Sequence, residues 1–495
     1  MFKLLQRNKV RTRFAPSPTG YLHIGGLRTA LYAYLWAKKN KGKFYLRIED
    51  TDRSREIPEA VANLIESLTW AGLKPDEGTI QSSQDKIKER GLYGPYIQSK
   101  RLKIYQKYAD QLVATGHAYH CFCSSERLEE LRKDQETKKI PTRYDGHCRN
   151  LSTDEIEKKI KSGSKSVIRL RVPENQEITF NDLVRGEIKF ATKDIDDQIL
   201  IKADGFPTYH LAHVVDDHLM KTSLVIRGDE WLSSTPKHLL LFGFFGWNAP
   251  QYAHLPLILN PDKTKLSKRQ GDVAVEDYRQ KGYLPEALIN YVALLGWNPG
   301  TEQEIFSLVE LIKEFSFEKI HKAGAVFDIK KLDWMNGEYI KKMPNKKFVQ
   351  LAQPYLKKIA DRDLDSQELE KISMIEKNRV NNISEVGQGI EFLFKEIDYP
   401  TELLIWKKSD SNTTKERLNW LSDILMNCQK WDATSLEELL IKEIKSANFS
   451  NGEVLWPLRV ALTGQEKSPT PFEVADILGQ TASINRIKKA IDRLS

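Results

Sequence analysis

Two segments of this 495-residue chain combine residue types suited to phosphate chemistry. The first reads Arg13-Phe-Ala-Pro-Ser-Pro-Thr-Gly-Tyr-Leu-His23-Ile-Gly25-Gly26, and the second Lys265-Leu-Ser-Lys268-Arg269. In the first, an apolar strand-like start breaks at two prolines and Gly20, and a helical pattern follows over about Ile24 to Lys38. A strand-to-helix turn leaves helix-start amides unpaired, and such amides suit phosphate oxygens. Gly25 and Gly26 carry no Cβ, so a flat base can lie directly on the backbone. The second segment adds two lysines and an arginine after Asn260-Pro261-Asp262. Together they supply an imidazole, free amides and positive charge, the groups that stabilise negative charge developing at phosphorus. Either segment alone is a weak signal, because a lone histidine before paired glycines is usually structural and a lone basic run is usually a solvated loop.

The elements that must hold these groups are legible as patterns. Val10 to Ala15 and Phe44 to Ile48 read as strands flanking the helix, a strand–helix–strand unit typical of a parallel nucleotide-binding sheet. From Ser99 to about Leu200 the character changes. Charged helices at Arg101 to Ala114 and Glu126 to Glu136 precede short strand-like runs such as Ser166 to Val172. The sheet pattern is expected to resume at Ile199 to Lys202 and Leu224 to Arg227, followed by a helix over Lys237 to Phe245. A split Rossmann-like fold with an α+β insertion explains that return. Thr301 to Glu304 reads as a capping box before Ile305, Leu308, Val309 and Ile312, and Thr470 to Glu473 repeats it. Ile484, Ile487, Ile491 and Leu494 mark one apolar face of a final helix, and everything beyond about Lys330 reads as helical.

The chain exceeds the usual size of a single core, so several domains are expected. We divide it into 1–98 and 201–260 as the two halves of the sheet domain, 99–200 as the insertion, 261–330 around the second segment, and 331–495 as the helical tail. No run approaches the ~18 apolar residues of a membrane span, and the opening residues lack a secretory signal. A cytoplasmic protein with no membrane partner is expected. Lysine plus arginine exceed aspartate plus glutamate by 76 to 68. That mild excess does not by itself imply nucleic acid, although basic clusters such as Lys158-Lys159-Ile-Lys161 and Arg486-Ile-Lys488-Lys489 suit a polyanion touched at several places. Four cysteines do not make a disulfide framework in a chain this long.

The paired segments resemble the HIGH and KMSKS signatures of class I aminoacyl-tRNA synthetases, and their surroundings resemble bacterial-type glutamyl-tRNA synthetase. Further matches are Arg47-Ile-Glu49-Asp-Thr-Asp52, Gly205-Phe-Pro-Thr-Tyr209, Val214-Val-Asp-Asp217-His, Ile226-Arg227-Gly-Asp-Glu230-Trp231, Trp456-Pro-Leu-Arg459 and Ser468-Pro-Thr-Pro-Phe472. They run in family order along nearly the whole chain. The resemblance implies a Rossmann-like catalytic domain with an α+β insertion that holds the tRNA acceptor end, a stem-contact region, and an all-α anticodon-binding domain. The helical tail favours the bacterial-type glutamyl branch over relatives with β-barrels there.

The implied reaction is ATP-dependent activation of L-glutamate to an adenylate, then transfer to the terminal adenosine of tRNA(Glu), in a step order that waits for bound tRNA. His23, Lys265 and Lys268 take the catalytic positions. Arg13, Ser17, Glu49, Tyr209, His213 and Arg227 take the glutamate positions. Arginine suits carboxylates through its paired donors, and Glu49 would accept the α-ammonium. Without the motif, Arg13 and Glu49 would read as a structural ion pair. His213 stands where the family often has asparagine, and a histidine there would make binding pH-sensitive. Gly25, Gly26, Glu230 and Trp231, with His23 and Lys268, take the ATP positions, and Mg²⁺ is expected to arrive with ATP. A helix-capping role for Glu230 stays open.

Gly26 stands where the first signature has its second histidine, a variation glutamyl enzymes commonly carry. Cys121, Cys123 and Cys148 resemble a zinc site found in some members. The usual fourth ligand lies two residues past the last cysteine, where this chain has Asn150, so His147 and His120 are the alternatives. The bland alternative is a decayed site of three thiols. A monomer is expected. Charging of tRNA(Gln) as well, as in non-discriminating members, and a catalytically inactive RNA-binding relative are the competing functional readings. A glutamyl-queuosine tRNA-modifying relative would lack the helical tail.

Overall fold

The computed structural model describes residues 9–52, 57, 59–81, 86–266 and 273–494. Lys268 and Arg269 lie outside the described residues. The chain forms two compact units, Met1–Gln280 with Leu284–Leu332, and Lys281–Tyr283 with Asp333–Ser495.

In the first unit the strands are β1 (Arg11–Phe14), β2 (Lys43–Leu46), β3 (Glu77–Gln81), β4 (Ile87–Arg90), β5 (Ala118–Cys121), β6 (Val167–Leu170), β7 (Glu177–Asp182), β8 (Gly186–Ala191), β9 (Ile199–Ile201), β10 (Leu224–Gly228), β11 (Gln251–Leu255), β12 (Ile258–Leu259) and β13 (Ala325–Val326). Eight of them make one sheet in the order β4-β3-β2-β1-β10-β11-β7-β8. Pairing is parallel from β3 through β7 and antiparallel only at the two ends, β3 with β4 and β7 with β8. The two central strands are buried without alternation, as in a sheet covered on both faces; β1 is buried throughout and Leu224–Arg227 likewise, although Arg11, Thr12, Arg13 and Arg227 are polar.

Chain order reverses between β1 and β10. From β1 the chain crosses through the helix Ile24–Lys39 to β2, and from β10 through the helix Thr235–Phe244 to β11 on the other side. In open α/β sheets such a reversal leaves a crevice beyond the carboxyl ends of the strands.

Two expectations fail here for identifiable reasons. Ile199–Ile201 does not resume the main sheet; β9 pairs with β6, which pairs with β5, in a separate three-stranded sheet. An apolar triplet satisfies either sheet, and only tertiary pairing decides. The capping box forms at Ser307 and Glu310, not at Thr301 and Glu304. Asn290, fully buried, accepts the Phe306 amide at 2.7 Å and holds that stretch extended. Glu304 instead pairs with Lys331.

The second unit is helical: Asn345–Ala360, Ser366–Lys377, Ser411–Met426, Ala433–Ser446, Asn451–Thr463 and Pro471–Arg493. The last helix opens with the expected Thr470–Glu473 box. Beyond a non-helical Gly479 its buried residues are Ser483, Ile487 and Ala490, with Leu494 buried at its C-cap and Ile484 and Ile491 half-buried. Two of the recognised tail segments are structural. Trp456 Nε1 donates to the Leu403 carbonyl (2.8 Å), and Arg459 Nη1 donates to Ser468 O (2.8 Å) and Oγ (3.0 Å). No described helix is long and apolar enough to cross a membrane.

Candidate active site

A cleft of about 720 Å³ opens at the carboxyl ends of β1 and β10. Its walls include Arg13, Ser17, His23, Gly25, Gly26, Glu49, Tyr209, Arg227, Glu230, Trp231 and Lys265. Residues that the sequence scatters over more than half the chain thus face one space, because β1 and β10 are neighbours.

His23 caps the helix Ile24–Lys39. Its Nδ1 accepts the Gly26 amide at 3.2 Å, so the ring proton resides on Nε2. The imidazole can therefore donate to a phosphate oxygen while anchored through its other nitrogen. A Cβ at Gly25 would meet His23 Cε1 at 2.9 Å, so glycine there clears the imidazole as well as the cleft wall.

The described residues on either side of 267–272 reach this wall. Lys265 and Leu266 line the cleft on one side of that stretch and Val273 on the other. The Ile24 amide donates to Val273 O (2.9 Å), and the Val275 amide donates to Leu22 O (2.8 Å).

The glutamate-position residues sit on a buried ionic floor. Arg47, fully buried at the end of β2, pairs with Glu49 (2.8 Å) and Asp217 (2.7 Å). Asp217 also takes Arg13 Nε at 3.3 Å. Asp216 is held by Gln98, Arg101 and Tyr105 at 2.7 to 2.9 Å. Burial pushes the Glu49 carboxyl up despite the pull of Arg47 and Arg13. For Asp217 burial also pushes up, but Arg13 and Arg47 prevail and hold it well below the usual carboxylate range. An ammonium arriving beside Glu49 would favour its ionised form.

Arg227 leaves β10 buried, with Nη1 donating to Tyr209 Oη at 3.1 Å and Nη2 to Thr235 Oγ1 at 2.8 Å. Tyr209 lies against Trp231, ring centroids 4.2 Å apart. His213, one turn after Tyr209 on the helix Tyr209–Leu219, is fully buried and does not line the cleft. It stacks under Tyr209 (5.1 Å, 10°), its Nδ1 is 2.9 Å from Asp217, and burial drives its pKa down to about 3. It is therefore neutral around pH 7, and the expected pH sensitivity has no basis in its titration.

Arg28 and Lys202 also line the cleft, and the motifs name no role for them or for Arg47. Arg28 donates to the Leu295 and Pro256 carbonyls, and Lys202 Nζ to Thr51 O at 3.0 Å. Arg47 sat inside a recognised motif, and a buried charge at a strand end was the available signal.

A second cluster lies in the three-stranded sheet region. The sulfurs of Cys121, Cys123 and Cys148 all lie within 4.8 Å of one another, against about 3.8 Å along the edge of a zinc-thiolate tetrahedron. Neither His120 nor His147 joins the cluster; His120 Nδ1 lies 3.2 Å from Ser166 Oγ, and His147 is exposed. Tyr144 Oη instead lies 3.4 Å from both Cys121 and Cys123 and accepts the Cys148 amide at 2.8 Å. The three thiols supply three of the four donors tetrahedral zinc takes, and the Tyr144 hydroxyl borders them.

The fold and the cleft together define a class I tRNA synthetase. The family described as tRNA synthetases class I (E and Q), catalytic domain, matches residues 9–334, and an anticodon binding domain matches 347–491. A glutamate–tRNA ligase of Finegoldia magna is 47% identical over 98% of this chain and 100% of its own length. One from Clostridioides difficile is 48% identical over 97% and 98%. The crystal structure of a glutamate tRNA ligase from Elizabethkingia meningosepticum, in complex with its amino acid, superposes with a TM-score of 0.87 at 37% identity, over 98% of this chain and all of that one. The chain belongs to the glutamate–tRNA ligase family.

Proposed function

We propose that this chain uses ATP to activate L-glutamate and attaches it to the terminal adenosine of tRNA(Glu), releasing AMP and diphosphate. The observation that carries this reading is the single cleft that places His23 and Lys265 on one wall system with Glu49, Arg13 and Arg227. Cations for carboxylates, one carboxylate for an ammonium, and donors for a triphosphate are what the two substrates require.

In this reading Arg227 and Arg13, with Ser17 and Tyr209, hold the substrate carboxylates, and Glu49 holds the α-ammonium. A neutral amide in place of the γ-carboxylate would lose charge pairing, which disfavours glutamine. The α-carboxylate attacks the α-phosphorus, and the bond to the diphosphate oxygen breaks. His23 Nε2–H donates to phosphate oxygen during that step, and Lys268, assisted by Lys265, stabilises the leaving diphosphate. The base lies over Gly25 and Gly26 beside Trp231, and Glu230 accepts ribose hydroxyls. Mg²⁺ enters with ATP, held by phosphates and water. His213 supports Tyr209 and Asp217 from beneath instead of touching substrate.

The segment 99–200 holds the acceptor end and 331–495 reads the anticodon, by stacking and base-edge contacts. Zinc would be held by Cys121, Cys123 and Cys148 with the Tyr144 hydroxyl as fourth donor, a structural role in which the metal ties β5 to the loop before Cys148. We assign a cytoplasmic monomer. Parallel aminoacylation of purified tRNA(Glu) and tRNA(Gln) tests the assignment. Charging of tRNA(Glu) alone supports the discriminating enzyme, charging of both supports the non-discriminating form, and charging of neither refutes the reading.

A further inference from the structure

Arg227 differs from the other buried arginines beside it. Arg13, Arg47 and Arg101 each pair with a carboxylate. Arg227 is 5% exposed, yet among the described residues no carboxylate makes an ion pair with it. Arginine has five N–H donors, and here all five meet neutral acceptors. Nε donates to His254 Nε2 at 3.0 Å, Nη1 to Tyr209 Oη and to His238 Nδ1 at 3.2 Å, and Nη2 to Thr235 Oγ1 and the Trp231 carbonyl.

An imidazole nitrogen accepts only when it carries no proton, so these bonds set both tautomers. His254 must then be protonated on Nδ1, which faces Asp182 Oδ2 at 2.7 Å. His238 must be protonated on Nε2, which faces His210 Nδ1 at 3.1 Å. The Asp182 carboxylate, fixed by the Val184 and Arg185 amides at 2.9 Å, is kept one imidazole away from the guanidinium. Burial, reinforced for His238 by the nearby Arg227 and His213, holds both imidazoles neutral.

We propose that His238 and His254 are positioning residues that fix the Arg227 guanidinium through neutral acceptors, so that its charge stays uncompensated until a substrate carboxylate arrives. A carboxylate in either place would hold the same geometry but cancel the charge, and with it the preference for glutamate over uncharged glutamine. The inference rests on the reading of Arg227 as a glutamate contact.

The experiment measures KM for glutamate and ATP, and the inhibition constant of glutamine, in tRNA-dependent ATP–pyrophosphate exchange with the full chain. H238N is compared with H238D, and H254Q with H254E, each with its melting temperature. Asparagine and glutamine restore an acceptor near the ring nitrogen and should keep KM for glutamate within about threefold. The charged partners should raise it more than tenfold, leave KM for ATP within about twofold, and lower the ratio of glutamine inhibition constant to glutamate KM at least tenfold. An equal ratio in the neutral and charged variants overturns the inference, because a merely structural role would weaken both ligands alike. Loss of glutamate binding in H238N and H254Q at native melting temperature overturns it too, even should the charged variants fail to fold. R227Q separates the layers: unchanged glutamate KM there refutes the pocket assignment itself.

Discussion

His23 and Ala274 form an isolated antiparallel bridge. The bond from Ile24 N to Val273 O ties the start of the first motif's helix to the residue that follows the second basic segment. Leu266 and Val273, the described residues on either side of 267–272, both line the cleft.

The histidine's two nitrogens have separable duties. H23N keeps a side-chain acceptor for the Gly26 amide but cannot extend to a phosphate oxygen. We expect kcat for adenylate formation to fall about 10²-fold, with a thermal midpoint within a degree or two of the parent. A large loss of stability with intact turnover would assign His23 to capping alone.

Gly25 offers the opposite combination. Alanine is the better helix former by up to about 1 kcal/mol, so G25A should hold or raise the denaturation midpoint. Its Cβ would press on the His23 imidazole at 2.9 Å, and exchange activity should fall at least tenfold. Unchanged activity would show that the ring has room to move.

Arg47 is the hub of the ionic floor, fully buried between Glu49 and Asp217. Removing one partner of a buried ionic cluster strands the others, at about 3–5 kcal/mol. Urea titration of R47M should show a loss of that size. K189A, at an exposed pair 3.6 Å apart with Glu177, should change stability by less than about 1 kcal/mol. Similar losses in both would mean the cluster contributes no more than a surface pair.

The cysteine cluster makes a chemical prediction independent of catalysis. Purified protein should contain about one zinc per chain by elemental analysis, C148S should lose it, and Y144F should bind it more weakly in a chelator competition. Metal-free wild type with unperturbed folding would mean the thiols are a decayed site.

Local pattern in the sequence carried much of this structure. The strand read at Val10 to Ala15 is Arg11–Phe14, and the helix read at Ile24 to Lys38 runs to Lys39. Periodicity and turn chemistry decide such segments locally. What failed depended on distant partners. Ile199–Ile201 carried no mark of which sheet it joins, and the box at Ser307 was chosen because Asn290 restrains Phe306. The cleft residues were legible because motifs name them, whereas the contacts of Arg47, Tyr144, His238 and His254 form only on folding. His213 shows the converse: its motif position suggested substrate, but the packing of Tyr209 above it takes it out of the cleft.

Glutamate-dependent ATP–pyrophosphate exchange in the presence of tRNA(Glu), compared between wild type and K268A, tests the central claim most directly. Exchange is expected with glutamate and not glutamine, and to fall at least about 10²-fold in K268A, while K268A binds tRNA within twofold of wild type. Exchange undiminished in K268A, or lost only in proportion to tRNA binding, would contradict it.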